Sequence, residues 1–152
     1  MKEIERRFLL RALPQGLKAG TKIQQGYLNV KCPELRIRQR GKGFYFTLKG
    51  GEGFTREEIE ARVSRKVFKA LWSITKGRRI KKTRYTLLHE GLTWEIDKFH
   101  GALKGLIIAE VELPSESTEF SIPPMINHLI ITDVTDDRRY NNKALATQGL
   151  PK

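Results

Sequence analysis

A single cysteine, Cys32, stands in this 152-residue chain, so it can form no internal disulfide and no thiolate metal cluster. Its three histidines, His89, His100 and His128, are scattered without ligand spacing, which argues against a zinc site. No apolar run approaches the length of a membrane-crossing helix. Fixed-period repeats and low-complexity tracts are missing as well. Met1-Lys2-Glu3 leads straight into an alternating pattern with no leader-like apolar stretch, so the expected location is the cytoplasm, with no membrane partner. Acidic residues are the minority, 17 against 29 lysines and arginines. The resulting net charge of +12 is compatible with nucleic acid, an anionic surface or an acidic substrate.

Those few acids are placed in a pattern. Four times, two carboxylates stand two residues apart: Glu3 and Glu5, Glu58 and Glu60, Glu95 and Asp97, Glu110 and Glu112. Two is the side-chain period of a β-strand, so each pair projects from one face of a strand. Ile4, Ile59, Ile96 and Val111 fill the positions between, as expected where the opposite face packs against something dry. The bases obey the same grammar: Arg36 and Arg38 bracket Ile37, and Lys82 and Arg84 bracket Thr83. Strand faces carrying both signs of charge point to a polyanion site that also holds metal ions.

The length predicts one domain over residues 1–152. Alternation predicts eight strands, over 2–10, 22–30, 34–40, 44–49, 56–63, 79–89, 92–99 and 106–113. Ser64 is placed to cap a core-facing helix that carries Val67, Phe68, Leu71, Trp72 and Ile74 and stops at Gly77. A short terminal helix is expected over 140–147, and Ile122-Pro123-Pro124 reads as a loop or helix start. Phe44, Phe46, Trp72 and Trp94 fall on apolar positions and are expected to pack outside. Eight mostly antiparallel strands, each with a charged face, would converge those faces if the sheet closed on itself, and closure also removes exposed edges. The expected fold is therefore α+β, mainly β: an eight-stranded antiparallel closed barrel with a few flanking helices, its charged lumen a tunnel.

In their order, the motifs Glu3-Ile4-Glu5-Arg6-Arg7, Gln25-Gly26-Tyr27-Leu28, Leu35-Arg36-Ile37-Arg38, Thr47-Leu48-Lys49, Glu58 to Glu60, Lys82-Thr83-Arg84-Tyr85, Trp94-Glu95-Ile96-Asp97, Ala109-Glu110-Val111-Glu112 and Arg139-Tyr140 with Asn142 resemble one family. It is the CYTH domain, or triphosphate tunnel metalloenzyme, superfamily, and the short bacterial inorganic tripolyphosphatases are the most similar members. The resemblance implies a tunnel that binds a triphosphate on bases and one or two divalent metals, Mg²⁺ or Mn²⁺, on acids. Carried onto this sequence, it makes Glu3, Glu5, Glu110 and Glu112 the first metal candidates, followed by Asp97 and Glu95, with Glu58 and Glu60 as further tunnel acids. Arg7, Arg36, Arg38, Lys49, Arg62, Lys82, Arg84 and Arg139 become candidate phosphate grips. Tyr27 and Lys82 correspond to a pair that tunes substrate orientation. Arg62 is equally well read as part of a solvent-facing ion-pair ladder. Arg7 departs from the family pattern, which has lysine there; arginine keeps the charge but is planar and longer.

The expected activity is metal-dependent hydrolysis of a triphosphate, inorganic tripolyphosphate first. On the same fold, a class IV adenylate cyclase or a nucleoside or thiamine triphosphatase is the alternative. A non-catalytic polyanion or nucleic-acid module would explain the net charge, yet it would not need acid pairs, which repel a phosphodiester backbone. Nucleic acid is therefore not an expected partner, and a homodimer is left open. Eight lumen acids against seven bases put the expected lumen near −1, leaving 22 bases and nine acids elsewhere, about +13. One or two divalent ions would turn such a lumen net positive.

Overall fold

The computed structural model describes residues 4–31, 33–50 and 57–152; Glu3, Cys32 and the connection over 51–56 lie outside the described residues. The alternating segments form β1 (Ile4–Leu10), β2 (Thr21–Asn29), β3 (Glu34–Arg40), β4 (Gly43–Gly50), β5 (Glu57–Arg62), β6 (Arg79–His89), β7 (Leu92–Phe99), β8 (Ile107–Leu113) and β9 (Ile130–Asp133). All belong to one sheet in the order β5-β4-β3-β2-β6-β7-β8-β1-β9, with every neighbouring pair antiparallel.

The mainly β antiparallel architecture is the expected one, with a difference at the seam. Among the described residues β5 and β9 do not pair, so hydrogen bonds do not close the sheet. The ninth strand accounts for this: it takes the free edge of β1, with Phe8 opposite Asp133 and Leu9 opposite Thr132. Only four residues long and opening on Ile130-Ile131, it is too short to show an alternating pattern.

One face of the sheet carries the apolar core. Phe8, Leu10, Trp94, Ile96, Ala109 and Val111 point outward from β1, β7 and β8 and pack with Ile126 and Leu129, from α2 (Pro124–Asn127) and the turn after it. Burying side chains of this size contributes about 1.5–3 kcal/mol each. Phe8 and Phe120 flank Trp94 with ring centroids 5.9 and 6.1 Å away. On the other half, α1 (Arg65–Trp72) sets Phe68 against Phe44 at 4.9 Å, and the Ser64 hydroxyl accepts the Val67 N–H at 3.1 Å. The turn that ends this helix presses Thr75 against Gly26, where a Cβ would come within 2.6 Å of the threonine hydroxyl. Glycine at 26 is what lets the turn seat on β2.

The opposite face turns inward. At one end it is apolar: Leu9, Tyr27, Ile80, Phe99 and Ile108 meet Leu145 and Ala146 of α3 (Asn142–Gln148). Beyond that floor the face is charged, and α3 reaches its edge at Asn142, which accepts from Lys82. Lys82 is 1% exposed and Asp97 5%. Charged groups reach such burial here because the sheet curls around them.

Candidate active site

Strand register decides which charges meet. On β7, β8 and β1, which are neighbours, Glu95 lies opposite Glu110, Glu110 opposite Arg7, and Glu112 opposite Glu5, so these side chains tile one patch of the inward face. Arg7 spans the patch: its Nη2 donates to Glu5 at 2.6 Å and its Nε to Glu110 at 3.1 Å. Burial pushes the Glu110 carboxyl up, but the hydrogen bond shared with Glu5 and the charges of Arg7 and Lys82 outweigh it and hold the group below the usual carboxylate value.

One step along β7, Asp97 gathers two cations from β6. Lys82 donates to it at 2.7 Å, and Arg84 grips both its oxygens at 2.8 and 2.9 Å. Arg84 also pairs with Glu95. Burial alone would raise Asp97, yet Lys82 and Arg84 bring it down to about 2. Burial draws Lys82 below its ordinary value, with Asp97 opposing. A second contact, Lys82 to the Asn142 amide oxygen at 3.3 Å, ties this cluster to α3.

The wall formed by β2, β3 and β4 is basic and less complete. Gln25, Arg38, Tyr45 and Arg62 form one row across the strands; Tyr27, Arg36, Thr47 and Glu60 form the next. Arg38 Nε donates to the Gln25 oxygen at 2.7 Å. Burial, then the neighbouring charges of Arg36 and Arg84, lower the Arg38 guanidinium to about 10. Because Arg84 belongs to the other wall, the two walls converge there. Arg36 is 8% exposed; among the described residues its carboxylate partner is Glu58 at 3.8 Å, and its buried Nε has no hydrogen-bond partner. A buried donor left this way costs free energy until an acceptor arrives.

Most of the residues singled out from sequence share this face. Lys49 lies opposite Glu58 on the edge pair β4–β5, where Glu58, Glu60 and Arg62 are exposed. Among the described residues Arg62 makes no ion pair, so the solvent-facing ladder is not formed. Arg139 is elsewhere: its guanidinium pairs with Asp137 at 2.6 Å and lines a surface hollow with Arg6 and Asp133. Nor do Tyr27 and Lys82 bond to each other, because the Tyr27 hydroxyl accepts from Gln25 at 2.7 Å while Lys82 is committed to Asp97 and Asn142. Sequence reasoning passed over Gln25, Thr47 and Asn142 as site residues. The first two share the inward parity of Tyr27 and Lys49, a signal that was available; Asn142 arrives by tertiary packing of the last helix.

Glu5, Glu95, Glu110 and Glu112 offer only carboxylate oxygens, the donor set of a hard divalent cation. Arg7, bridging Glu5 and Glu110, marks a position where positive charge is already held between two acids. Among the described residues no three acids or histidines converge closely enough to enclose an ion. The donor chemistry nevertheless fits one.

Known proteins are similar to this chain in sequence and in fold. A curated inorganic triphosphatase of Nitrosomonas europaea is 42% identical over 151 residues, 96% of this chain and 97% of that one. Another inorganic triphosphatase, from Acetivibrio thermocellus, is 36% identical over 95% of this chain and 92% of its own. A solved crystal structure of an inorganic triphosphatase superposes with a TM-score of 0.77 at 39% identity, covering 100% of this chain and 98% of that one. The CYTH domain family model matches residues 1–139, and that family implies a divalent metal ion. With the relatives similar over nearly their full length and the family model spanning most of the sequence, the chain belongs to the CYTH domain family.

Proposed function

We propose that this protein hydrolyses inorganic tripolyphosphate to pyrophosphate and phosphate with Mg²⁺ or Mn²⁺ held on the carboxylates of β1, β7 and β8. The observation that carries the reading is Arg36: a buried guanidinium whose Nε has no partner among the described residues, on a basic wall that meets an acidic one. Such a donor is complementary to an anion that enters, and the acidic wall keeps the inward face from being simply a cation cluster.

Arg36, Arg38 and Arg84, with Lys49 near the edge, grip phosphate oxygens, guanidiniums being suited to two-pronged contact. Lys82, kept cationic against its burial by Asp97, stabilises charge on the transferring group. Tyr27 orients the substrate from the floor of the face. Glu5, Glu110 and Glu112, joined by Glu3 and flanked by Glu95, hold the metal; Asp97 serves mainly as the anchor of Lys82 and Arg84. When bound, the divalent ion supplies charge neutralisation and a polarised water for attack on phosphorus. Arg7 keeps Glu5 and Glu110 aligned toward that position. Phosphoryl transfer asks the protein chiefly for such positioning and electrostatics.

The test is phosphate release from tripolyphosphate, ATP, thiamine triphosphate and pyrophosphate with Mg²⁺, Mn²⁺ or chelator, beside an assay for cyclic AMP. Metal-dependent turnover led by tripolyphosphate is expected. Tight tripolyphosphate binding without turnover of any triphosphate would make the protein a polyanion binder, and cyclic AMP from ATP would make it a cyclase. In folded Lys82→Ala, near-normal turnover would remove Lys82 from the mechanism.

A further inference from the structure

Gln25 is 0% exposed and touches two residues of the basic wall at once. Its amide oxygen accepts from Arg38 Nε at 2.7 Å, and its amide nitrogen donates to the Tyr27 hydroxyl at 2.7 Å. The orientation of this amide is dictated by chemistry: arginine can only donate, so the group facing it must be the oxygen, and the NH₂ is left for Tyr27. A phenol oxygen that accepts from the NH₂ has its own proton directed elsewhere. Among the described residues that proton has no acceptor. Likewise, with Nε committed to Gln25, the Arg38 Nη hydrogens make no bond to any described acceptor.

We propose that Gln25 is a positioning residue that turns two donors, the Tyr27 O–H and the Arg38 Nη groups, toward an incoming phosphate oxygen. The assignment rests on the tripolyphosphate reading for the identity of the ligand, but not for the direction of the hydroxyl, which belongs to the protein alone. It gives Tyr27 a defined contribution as a donor, without the direct Lys82 contact that the fold does not make.

Gln25→Glu is nearly isosteric and reverses the arrangement. A carboxylate accepts from Arg38 and must also accept from Tyr27, so the phenol proton turns inward to residue 25. Two measurements follow. In ligand-free protein carrying ¹³Cζ-tyrosine, the Tyr27 signal is assigned as the one missing from Tyr27→Phe; it is expected to move in Gln25→Glu, since the phenol changes from acceptor to donor. A signal that stays in place overturns the proposal, whatever the ligand. Calorimetric binding of tripolyphosphate is then measured in chelator, where metal-dependent turnover is blocked. Tyr27→Phe is expected to weaken it about tenfold in the wild-type background, the size of one hydrogen bond to a charged group, and to have no effect in the Gln25→Glu background. An equal loss in both backgrounds, or no loss in the wild type, overturns it; the added negative charge of Gln25→Glu cannot mimic this non-additivity. Wild-type protein that neither binds tripolyphosphate in chelator nor turns it over with Mg²⁺ or Mn²⁺, alongside a moved Tyr27 signal, sinks the substrate reading and leaves the positioning role standing. Gln25→Met checks for a space-filling role: it keeps the volume, and it is expected to bind more weakly than wild type while remaining folded.

Discussion

The two walls of the inward face hold their charges differently. On the acidic side, β1, β7 and β8 with their β6 partners, each of Arg7, Lys82 and Arg84 is closed into ion pairs at 2.6 to 3.1 Å or shorter. On the basic side, Arg36 reaches its carboxylate only at 3.8 Å and Arg38 leans on a neutral amide. The first wall is self-sufficient and owes part of its stability to those pairs. The second is preorganised but incomplete, the arrangement expected where free energy is reserved for a ligand. Mutations should therefore separate in stability: breaking the pairs of the first wall costs it, whereas changes on the second cost binding with little loss of stability.

The largest effect is expected at Asp97. In Asp97→Ala the buried Lys82 and the half-buried Arg84 lose their shared carboxylate, and breaking a buried pair from one side costs about 3–5 kcal/mol. Chemical denaturation should show that loss, or show a protein that does not fold. A cost under about 1 kcal/mol, the range of exposed pairs, would erase the contrast between the walls.

Arg36→Ala is the counterpart. It removes a buried guanidinium with one long ionic contact and a donor that has no partner among the described residues; lost packing and the relieved donor oppose each other, so stability should change by about 1 kcal/mol or less, far below Asp97→Ala. Tripolyphosphate turnover, as kcat/KM, should fall by about a hundredfold, as for loss of a charge-assisted contact worth roughly 2–3 kcal/mol. A large stability loss with unchanged kinetics would place Arg36 with the structural wall.

How much of this was written in the sequence differs between the walls too. Period-two acids and bases disclosed the strands, and β3, β6 and β7 begin and end where alternation placed them. Parity also disclosed which side chains share the inward face, because register preserves it across every antiparallel pair. What parity cannot encode is who bonds to whom. Lys82 reaches Asp97 diagonally across the β6–β7 hairpin and Asn142 on α3, 60 residues away, and the second of these partners comes only from tertiary packing. Arg139 looked like one more basic motif residue, but Asp137, two positions away, captures it locally. β9 was hidden by its brevity and by the prolines before it.

Arg7 lets the comparison be sharpened within the acidic wall. Its planar fork bonds Glu5 and Glu110 together; a lysine, with one compact ammonium, would satisfy them less evenly. Arg7→Lys should thus leave the two carboxylates easier for a divalent ion to recruit. The metal concentration for half-maximal turnover is expected to fall roughly three- to fivefold, as for weakening a pair worth about 0.7–1 kcal/mol. An unchanged metal requirement would show that Arg7 does not compete for those acids.

The smallest effect is expected outside the inward face, at the edge strand that keeps the sheet from closing. Asp133 on β9 pairs with Arg6 of β1 and accepts from the Thr135 amide at 2.9 Å. Slight burial pushes its carboxyl up, but bonds from the Thr135 hydroxyl and amide and from Arg6 outweigh this and hold it below the ordinary 3.8. A depressed folded-state value means the group stabilises the protein above its unfolded pKa, and the contribution disappears as pH falls through the folded one. Both partners are well exposed, so the benefit is screened to less than about 1 kcal/mol. Asp133→Asn should be slightly less stable than wild type at pH 7, with the two denaturation curves converging as pH drops below 3.8. Its turnover should match wild type, because β9 contributes no side chain to either wall. Were Asp133→Asn instead as costly as Asp97→Ala, the stability of the acidic side would reside in its tethered edge and not in its buried ion pairs.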